Sequence, residues 1–355
     1  MGKGAAGAGG TVAALVGRLT IPGFVDAHCH AFQRALRGRA QGGDFWAWRE
    51  VMIGEAERQT PESVRRGYVD VYRELLAAGY TAVGEFHYLG LEEARAAADA
   101  ADEAGLEIVI LYAAYARDGS PRFRQESVAE YLRQVEALRS GGLRVGLAPH
   151  SVRACPPEWL EEIALYADRD GLVLHVHADE QPREIEECVT EHGVRPIELL
   201  ARTGCLGART TVVHATHADG SELDLLAQAR ARVCVCPTTE ANLADGFVPV
   251  ARLTHRRIPM CIGSDSNVRI DPLEELRELD GIARRQTGRR DALSRDELLR
   301  AGTADGASAL GLESWPEVEV DLSHRSLAGV AADDVLDALV SGCGADVLRP
   351  LGQGP

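Results

Sequence analysis

Eight short apolar segments alternate with helical stretches from residue 21 onward, and this rhythm restricts the fold more than any other feature of the sequence. Repeated strand and helix alternation is typical of a parallel β-sheet covered by helices. The apolar segments span residues 24–30, 81–88, 107–116, 144–150, 172–180, 210–216, 232–239 and 260–267. Amphipathic stretches between them include residues 61–78, 91–104, 125–139 and 271–285. We predict an α/β fold, a (β/α)8 TIM barrel.

An open doubly wound sheet is the alternative architecture, since it also alternates strands and helices. Such a sheet usually carries a glycine-rich phosphate loop after its first strand, and this sequence has none there. In a closed barrel the active site forms at the carboxyl ends of the strands. Nearly every apolar segment ends on or beside a residue able to do chemistry, namely His30, Tyr88, His150, Glu180, His214, Glu240 and Asp265. The barrel is therefore favoured.

The length of 355 residues, 45% of them hydrophobic, supports one large core rather than two ordinary domains. We predict a barrel domain over residues 21–312. Residues 1–20 are mostly Gly and Ala and are predicted to form a flexible or partial N-terminal segment. Residues 313–355 are predicted to form a C-terminal extension with one or two strands and a helix, although the stretch from Ser341 shows no clear pattern.

The net charge of −16 disfavours nucleic acid or an anionic membrane as a partner, because 54 acidic residues outnumber 38 basic ones. No run of 18 apolar residues is present, and the N-terminal segment is a poor secretion signal. The eight cysteines lack the spacing of a disulfide framework. These features predict a cytoplasmic protein with reduced cysteines, whose partner is a small-molecule substrate.

Two histidines at the end of the first segment indicate half of a metal site. In His28-Cys29-His30 the alternation of side chains along a strand places both imidazoles on one face. Alone, this pair is weak support, since such a spacing also arises by chance. The ends of three further segments supply His177, His214 and Asp265, which makes coincidence a poor explanation. The sequence therefore predicts a metal centre at this end of the barrel.

Over residues 20–312 the sequence resembles the amidohydrolase superfamily. The resemblance implies that one metal ion is bound by His28, His30, His177 and Asp265. Zinc suits three imidazoles and one carboxylate with a position left for water, and iron is also possible. Members usually carry a small accessory β-sandwich, which the short N-terminal segment predicts to be reduced or absent here.

Within this superfamily the sequence is most similar to formimidoylglutamate deiminases. The matching stretches are PGFVDAHCHAFQRALRG (22–38), FWAWRE (45–50), GEFHYL (84–89), PHSVRA (149–154), HVHADEQPREIEEC (175–188), VVHATH (212–217), CPTTEANLADG (236–246) and IGSDSN (262–267). The resemblance implies a zinc-dependent deiminase of histidine degradation. Such an enzyme hydrolyses the formimidoyl C–N bond of N-formimidoyl-L-glutamate to give N-formyl-L-glutamate and ammonia. The resemblance also implies a homodimer.

Three residues are predicted to carry the chemistry. Glu180 lies just beyond the strand end, where a carboxylate can take a proton from water and pass it to the leaving nitrogen. The resemblance implies the same role for this glutamate. His214 is expected to polarise the imine nitrogen or to stabilise the tetrahedral centre, and Asp265 is expected to share in proton transfer while binding metal.

A substrate with two carboxylates needs cationic and hydrogen-bonding groups, for which bidentate arginine is well suited. Arg49 and Arg153 are the candidates. The resemblance adds three further substrate-binding residues: Gln33, Tyr88 and His150. Trp46 and Trp48, by contrast, are expected to be packing residues.

The segments after Tyr88 and Ala116 are shorter than the loops that similar deiminases tend to have, and Asn267 stands where they often have a histidine. A deaminase acting on another amidine, guanidino or purine-like metabolite is therefore an open alternative. A non-catalytic barrel is a further alternative, but the complete set of ligands together with Glu180 and His214 argues against it.

Overall fold

A parallel barrel forms most of the molecule in the computed structural model, which describes residues 17–351. The first strand, β1 (Arg18–Pro22), lies outside the barrel. Eight strands then pair in sequential order, each parallel to the next. They are β2 (Phe24–Cys29), β3 (Tyr80–His87), β4 (Glu107–Ala114), β5 (Val145–Pro149), β6 (Leu174–Ala178), β7 (Thr210–His214), β8 (Arg232–Val235) and β9 (Met260–Ile262). The predicted (β/α)8 fold is confirmed.

Among residues 17–351 the first ten helices connect the barrel strands, and four more follow the last barrel strand. They are α1 (Phe45–Glu57), α2 (Pro61–Ala77), α3 (Leu91–Ala104), α4 (Val128–Ser140), α5 (Pro157–Asp170), α6 (Pro182–His192), α7 (Pro196–Arg202), α8 (Gly220–Ala229), α9 (Pro237–Leu243), α10 (Val250–His255), α11 (Pro272–Thr287), α12 (Arg295–Gly302), α13 (Ala304–Ala309) and α14 (Val335–Gly342). A capping box between Thr60 and Ser63, with Pro61 as the first helical residue, explains where α2 begins. Helix α4 begins three residues later than residue 125, where the sequence pattern placed it.

The barrel strands are buried on both faces. Every residue of β2, β3 and β6 is buried. Parallel strands covered on both sides usually read as continuous apolar runs. Polar residues on such strands, among them His28, His30 and His177, are therefore exceptions that require partners.

The barrel closes at the carboxyl ends of its first and last strands. The amide of His30 donates to the carbonyl of Asp265 at 2.8 Å, and the amide of Asp265 donates to the carbonyl of His28 at 2.9 Å. These bonds place Asp265, three residues beyond β9, beside the two histidines at the end of β2.

The seventh predicted strand was four residues too long. Strand β8 ends at Val235, and helix α9 begins at Pro237. Proline has no amide hydrogen for a sheet, and the side chain of Glu240 accepts from the amide of Cys236 at 2.9 Å, which stabilises the helix start. Glu240 therefore lies on a helix rather than just beyond a strand.

A second, three-stranded antiparallel sheet joins both ends of the described chain. Strand β1 pairs with β10 (Glu317–Asp321), which pairs with β11 (Leu348–Pro350). Strand β11 lies in the stretch from Ser341 that shows no clear sequence pattern. Its three residues are too few for a strand-like alternation to be visible. Strand β1 crosses the predicted boundary after residue 20, and most of the predicted N-terminal segment lies outside the described residues.

The eight cysteines are buried thiols, and no disulfide is present in the described chain. No helix within residues 17–351 is long and apolar enough to cross a membrane.

Candidate active site

The structure brings the four predicted metal ligands together. His28 and His30 stand at the end of β2, His177 stands on β6, and Asp265 follows β9. The Nε2 atoms of His28 and His177 are 3.0 Å apart. Asp265 Oδ1 lies 3.6 Å from His28 Nε2 and 3.4 Å from His30 Nε2. Zinc with bonds of about 2.0–2.1 Å in tetrahedral geometry requires roughly 3.3 Å between ligand atoms. These residues therefore fit a single zinc ion.

Backbone carbonyls fix the orientation of two of the imidazoles. Nδ1 of His30 donates to the carbonyl of Phe86 at 2.9 Å, and Nδ1 of His177 donates to the carbonyl of His150 at 3.1 Å. A hydrogen on Nδ1 leaves the lone pair on Nε2, which is the atom that faces the cluster. The tautomers are thus set by atoms outside the cluster.

Burial lowers the pKa of His28, His30 and His177, so these imidazoles are neutral near pH 7. A neutral imidazole is the form that binds a metal. The donor set and its protonation state therefore agree with the predicted site.

The turn after β9 presents Asp265 through two tight contacts. Asp265 has a positive φ of 47°, which is uncommon for a residue other than glycine. Asp26 on β2 accepts from the amide of Ser264 at 2.9 Å and also from its hydroxyl. At Gly263 a Cβ atom would lie 2.7 Å from the carbonyl oxygen of His28 and 2.9 Å from its Cβ. The missing side chain at residue 263 lets the last strand approach the first ligand.

Glu180 and His214 lie against the metal cluster. His214 Nε2 is 3.6 Å from Glu180 Oε1 and 3.8 Å from Asp265 Oδ2, and all three side chains are less than a tenth exposed. On its other side, His214 Nδ1 is 3.2 Å from Glu240 Oε1. Below we call His28, His30, His177, Glu180, His214 and Asp265 the histidine floor.

The carboxylates shift the protonation of this part of the floor. Burial alone would lower the pKa of His214, but the charges of Glu180, Glu240 and Asp265 outweigh it and raise the pKa to about 10. Burial raises the pKa of Glu180 to about 7, against the opposing effects of His214 and Arg153. A carboxyl group with a pKa near neutrality is suited both to accept and to release a proton.

Three of the predicted substrate-binding residues form one wall beside the metal cluster. Gln33 Nε2 donates to the hydroxyl of Tyr88 at 2.9 Å. The Tyr88 ring lies 5.3 Å from the His30 ring, and the His150 ring lies 4.7 Å from the His177 ring. Tyr88 and His150 therefore lie directly beside two of the metal ligands.

The two predicted arginines line a separate cavity of about 580 Å³, whose lining includes neither the wall nor the metal ligands. Arg49 lies on α1, and Arg153 lies in the loop after β5. Both form ion pairs with Asp118, and both guanidinium groups are within 6 Å of the Trp46 ring centre. We call Trp46, Arg49, Asp118 and Arg153 the arginine rim.

A chain of contacts connects the rim to the floor. Arg153 Nε lies 3.8 Å from Glu184 Oε1, and Glu184 Oε2 accepts from the amide of Glu180 at 3.1 Å. Glu184 therefore contacts both the rim and the backbone of Glu180.

The expectation for Trp46 differs from the structure, whereas Trp48 packs partly buried against the core as expected. Trp46 lines the cavity because one turn of helix places it beside Arg49 on the same face of α1. Asp118 and Glu240 were not singled out as site residues. For Glu240 the sequence offers one indication, its position at the end of a predicted strand. For Asp118 it offers none, because the contacts of Asp118 depend on the conformation of its loop.

Comparisons with known proteins agree with this geometry. The model of the amidohydrolase family matches residues 19–315. A formimidoylglutamate deiminase of Pseudomonas aeruginosa is 36% identical over 331 residues, with 83% of this chain and 73% of the relative covered. A 5-methylthioadenosine/S-adenosylhomocysteine deaminase of Haloarcula marismortui is 32% identical over 303 residues, with 83% and 69% covered.

Solved structures lead to the same family. An amidohydrolase from Brucella melitensis superposes with a TM-score of 0.83 at 30% identity, with 93% of this chain and 84% of that chain covered. An adenosine deaminase from Xanthomonas campestris with bound zinc superposes with a TM-score of 0.85 at 26% identity, with 93% and 78% covered. The chain therefore belongs to the amidohydrolase family and is a hydrolase of C–N bonds, like the deaminases that it resembles.

Proposed function

We propose that the protein is a zinc-dependent deiminase that hydrolyses the formimidoyl C–N bond of N-formimidoyl-L-glutamate to N-formyl-L-glutamate and ammonia. The observation that carries this proposal is the pairing of the histidine floor with the arginine rim. The floor offers a metal site with a proton-transfer group, and the rim offers guanidinium groups for carboxylates. The resemblance to the Pseudomonas aeruginosa deiminase supports the choice of substrate.

His28, His30, His177 and Asp265 would hold the ion. Zinc bound there supplies the Lewis acidity that makes water nucleophilic near neutral pH, and iron is the second candidate metal. Neutral imidazoles favour either ion.

Glu180 manages the protons of the reaction. Its carboxylate accepts a proton from the attacking water and delivers it to the departing nitrogen as water adds to the amidine carbon. The second proton of ammonia comes from the hydroxyl group formed on that carbon, which becomes the formyl oxygen as the C–N bond breaks. The imidazolium of His214 donates a hydrogen bond to the imine nitrogen or to the tetrahedral centre, and Asp265 assists in proton transfer. The contacts of His214 with both Glu180 and Asp265 support this division of roles.

Gln33, Tyr88 and His150 orient the reacting group beside the floor. Arg49 and Arg153 bind the carboxylates of the substrate at the rim. In this arrangement the amidine points towards Glu180, and the contacts of Glu184 with both Arg153 and Glu180 support it.

A purine-type deaminase is the second candidate function. Several relatives that match 84–88% of this chain at 28–32% identity are named 5-methylthioadenosine/S-adenosylhomocysteine or 5'-deoxyadenosine deaminases. The arginine rim opposes 5-methylthioadenosine and 5'-deoxyadenosine as substrates, because a ligand without a carboxylate gains little from two guanidinium groups. S-adenosylhomocysteine carries one carboxylate, so the assay below compares it directly with N-formimidoyl-L-glutamate.

Ammonia release tests the proposal. Zinc-loaded protein is incubated separately with N-formimidoyl-L-glutamate, S-adenosylhomocysteine and 5'-deoxyadenosine. We expect release with the first compound, and loss of that release in Glu180→Ala. Glu186→Ala is the matched control, because Glu186 is an exposed glutamate on α6, six residues further along the chain. Release with an adenosine compound alone would replace the proposed substrate.

A further inference from the structure

The two arginines proposed to bind substrate carboxylates already share an anionic partner. Arg49 Nη2 lies 2.8 Å from Asp118 Oδ2, and Arg153 Nη1 lies 3.3 Å from the same oxygen. The side chain of Arg153 is 8% exposed, whereas that of Asp118 is 34% exposed. One carboxylate oxygen therefore bridges two guanidinium groups at the mouth of the site.

The short segment after β4 carries Asp118 to this position. The amides of Ala116 and Arg117 donate to the carbonyl of Ala154 at 2.9 and 3.1 Å, which docks the segment on the loop after β5. Asp118 and Gly119 then both have positive φ, at 62° and 57°. Few residues other than glycine adopt this conformation, so the turn and the double ion pair together define where the carboxylate lies.

Asp118 keeps its charge in this setting. Burial alone would raise the pKa of its carboxyl group, but Arg49, the amide of Gly119 and Arg153 outweigh it and hold the pKa below the usual value. At neutral pH the rim therefore contains a fixed negative charge.

The other arginines of the cavity also have acidic partners, namely Arg117 with Glu191 at 2.6 Å and Arg183 with Glu187 at 2.7 Å. The lining carries as many acidic residues as arginines: Glu50, Asp118, Glu187 and Glu191 against Arg49, Arg117, Arg153 and Arg183. Because no surplus positive charge remains, each ligand carboxylate must compete with an acidic side chain, and a second carboxylate requires a second displacement.

The guanidinium of Arg153 has donors beyond the one that Asp118 uses. Its buried Nε faces Glu184 Oε1 at 3.8 Å, and its Nη1 donates to Asp118 at 3.3 Å. A guanidinium has five N–H donors, so Arg153 can hold Asp118 and still donate to a ligand carboxylate from its Nη atoms.

We propose that Asp118 is a specificity-determining residue, which competes with the second carboxylate of a ligand for Arg49 and Arg153 and thereby favours ligands with one carboxylate over ligands with two. This inference rests on the proposed function, because it takes the rim to be the site where carboxylates bind. N-Formimidoyl-L-glutamate then binds by displacing Asp118 from at least one arginine.

Calorimetric titration of the zinc-loaded protein tests the inference with two ligands. N-Formyl-L-glutamate and N-formyl-L-glutamine have nearly the same shape and differ by one carboxylate. We expect Asp118→Asn to lower the dissociation constant of the first about ten-fold, and that of the second less than about two-fold. Asp170→Asn is the matched control, because Asp170 is also held by two arginines, Arg139 and Arg169, and should change neither constant.

Three results would overturn the inference. Equal changes for both ligands would mean that Asp118 shapes the cavity without discriminating charge. Weaker binding of N-formyl-L-glutamate in the variant would mean that Asp118 organises the arginines for the ligand. Binding of neither ligand by wild type or variant would mean that the rim is no carboxylate site.

The ammonia assay distinguishes failure of the proposed function from failure of this inference. Ammonia release reports on the reaction, whereas the two ligands report on the rim whether or not the amidine is turned over. Asp118→Ala provides a second variant if the asparagine protein folds poorly, and the same ten-fold preference is expected of it.

Discussion

The histidine floor and the arginine rim differ in what holds them in place. Floor residues stand on or directly after barrel strands, where backbone pairing and carbonyl contacts determine each side chain. Rim residues stand on α1 and on loops, and ion pairs and ring contacts with one another hold them. The floor is therefore rigid through the backbone, whereas the rim is adjustable through its side chains.

This difference predicts different kinetic effects. Changes in the floor should alter kcat, because these groups act on the reacting atoms, and changes in the rim should alter KM, because these groups hold the ligand. The four experiments below are ordered from the largest expected effect to the smallest.

Loss of a floor ligand should have the largest effect. We expect His177→Ala to abolish ammonia release and zinc retention, measured by metal analysis, and to lower the Tm of the zinc-loaded protein because bound metal stabilises the folded state. His175→Asn is the control on the same strand, since its Nε2 lies 2.9 Å from the carbonyl of Ala309 instead of in the cluster. Retention of zinc by His177→Ala would contradict the assignment of the floor.

Glu240 lies outside the histidine floor but contacts His214 on the side away from the metal ligands. Glu240→Gln removes the charge beside His214 Nδ1 and should lower kcat about 10- to 100-fold with little change in KM. Glu275→Gln is the control, because Glu275 is equally buried but bonds to Thr238. Equal losses in both variants would indicate a general packing effect.

Substitution in the rim should act on binding. Arg153→Lys loses the planar fork and should raise KM for N-formimidoyl-L-glutamate about ten-fold or more, with kcat within a few-fold of wild type. Arg139→Lys is the control, since Arg139 pairs with Glu136 and Asp170 and does not line this cavity. A fall in kcat with unchanged KM would remove the distinction between floor and rim.

Salt should give the smallest effect and only at the rim. Between about 0.05 and 0.5 M salt the Debye length falls from roughly 14 Å to roughly 4 Å, so KM should rise about two- to five-fold while kcat stays constant. Sucrose at matched osmolality serves as the control. A salt-dependent kcat would show that the floor is less shielded than its burial indicates.

The floor was predictable from the sequence because each of its positions follows from a local rule. Strand alternation places His28 and His30 on one face, and barrel topology brings His177 and Asp265 to the same end. The distances between the ligand atoms were not predictable, because they depend on the backbone bonds that join Asp265 to His28 and His30 where the barrel closes.

The contacts of the rim were not predictable in the same way. Arg49, Asp118 and Arg153 are distant in the chain, and their meeting depends on positive φ angles in one loop. The partner of His214 escaped prediction for a related reason, because Glu240 was placed at a strand end although its helix begins earlier. Strand β11 was missed because pairing with β10, rather than its own three residues, creates it.

Gly263 bears on how this protein can acquire new activities. Any side chain there would press on the backbone of His28, so a substitution library at this position should contain no active members. Residues 116–118 instead contact α1 and the loop after β5, so substitutions there leave the backbone of the metal ligands untouched. New substrate specificities in such a molecule are therefore expected to arise in the outer segments, which can be lengthened, shortened or exchanged while the metal site and its chemistry stay the same.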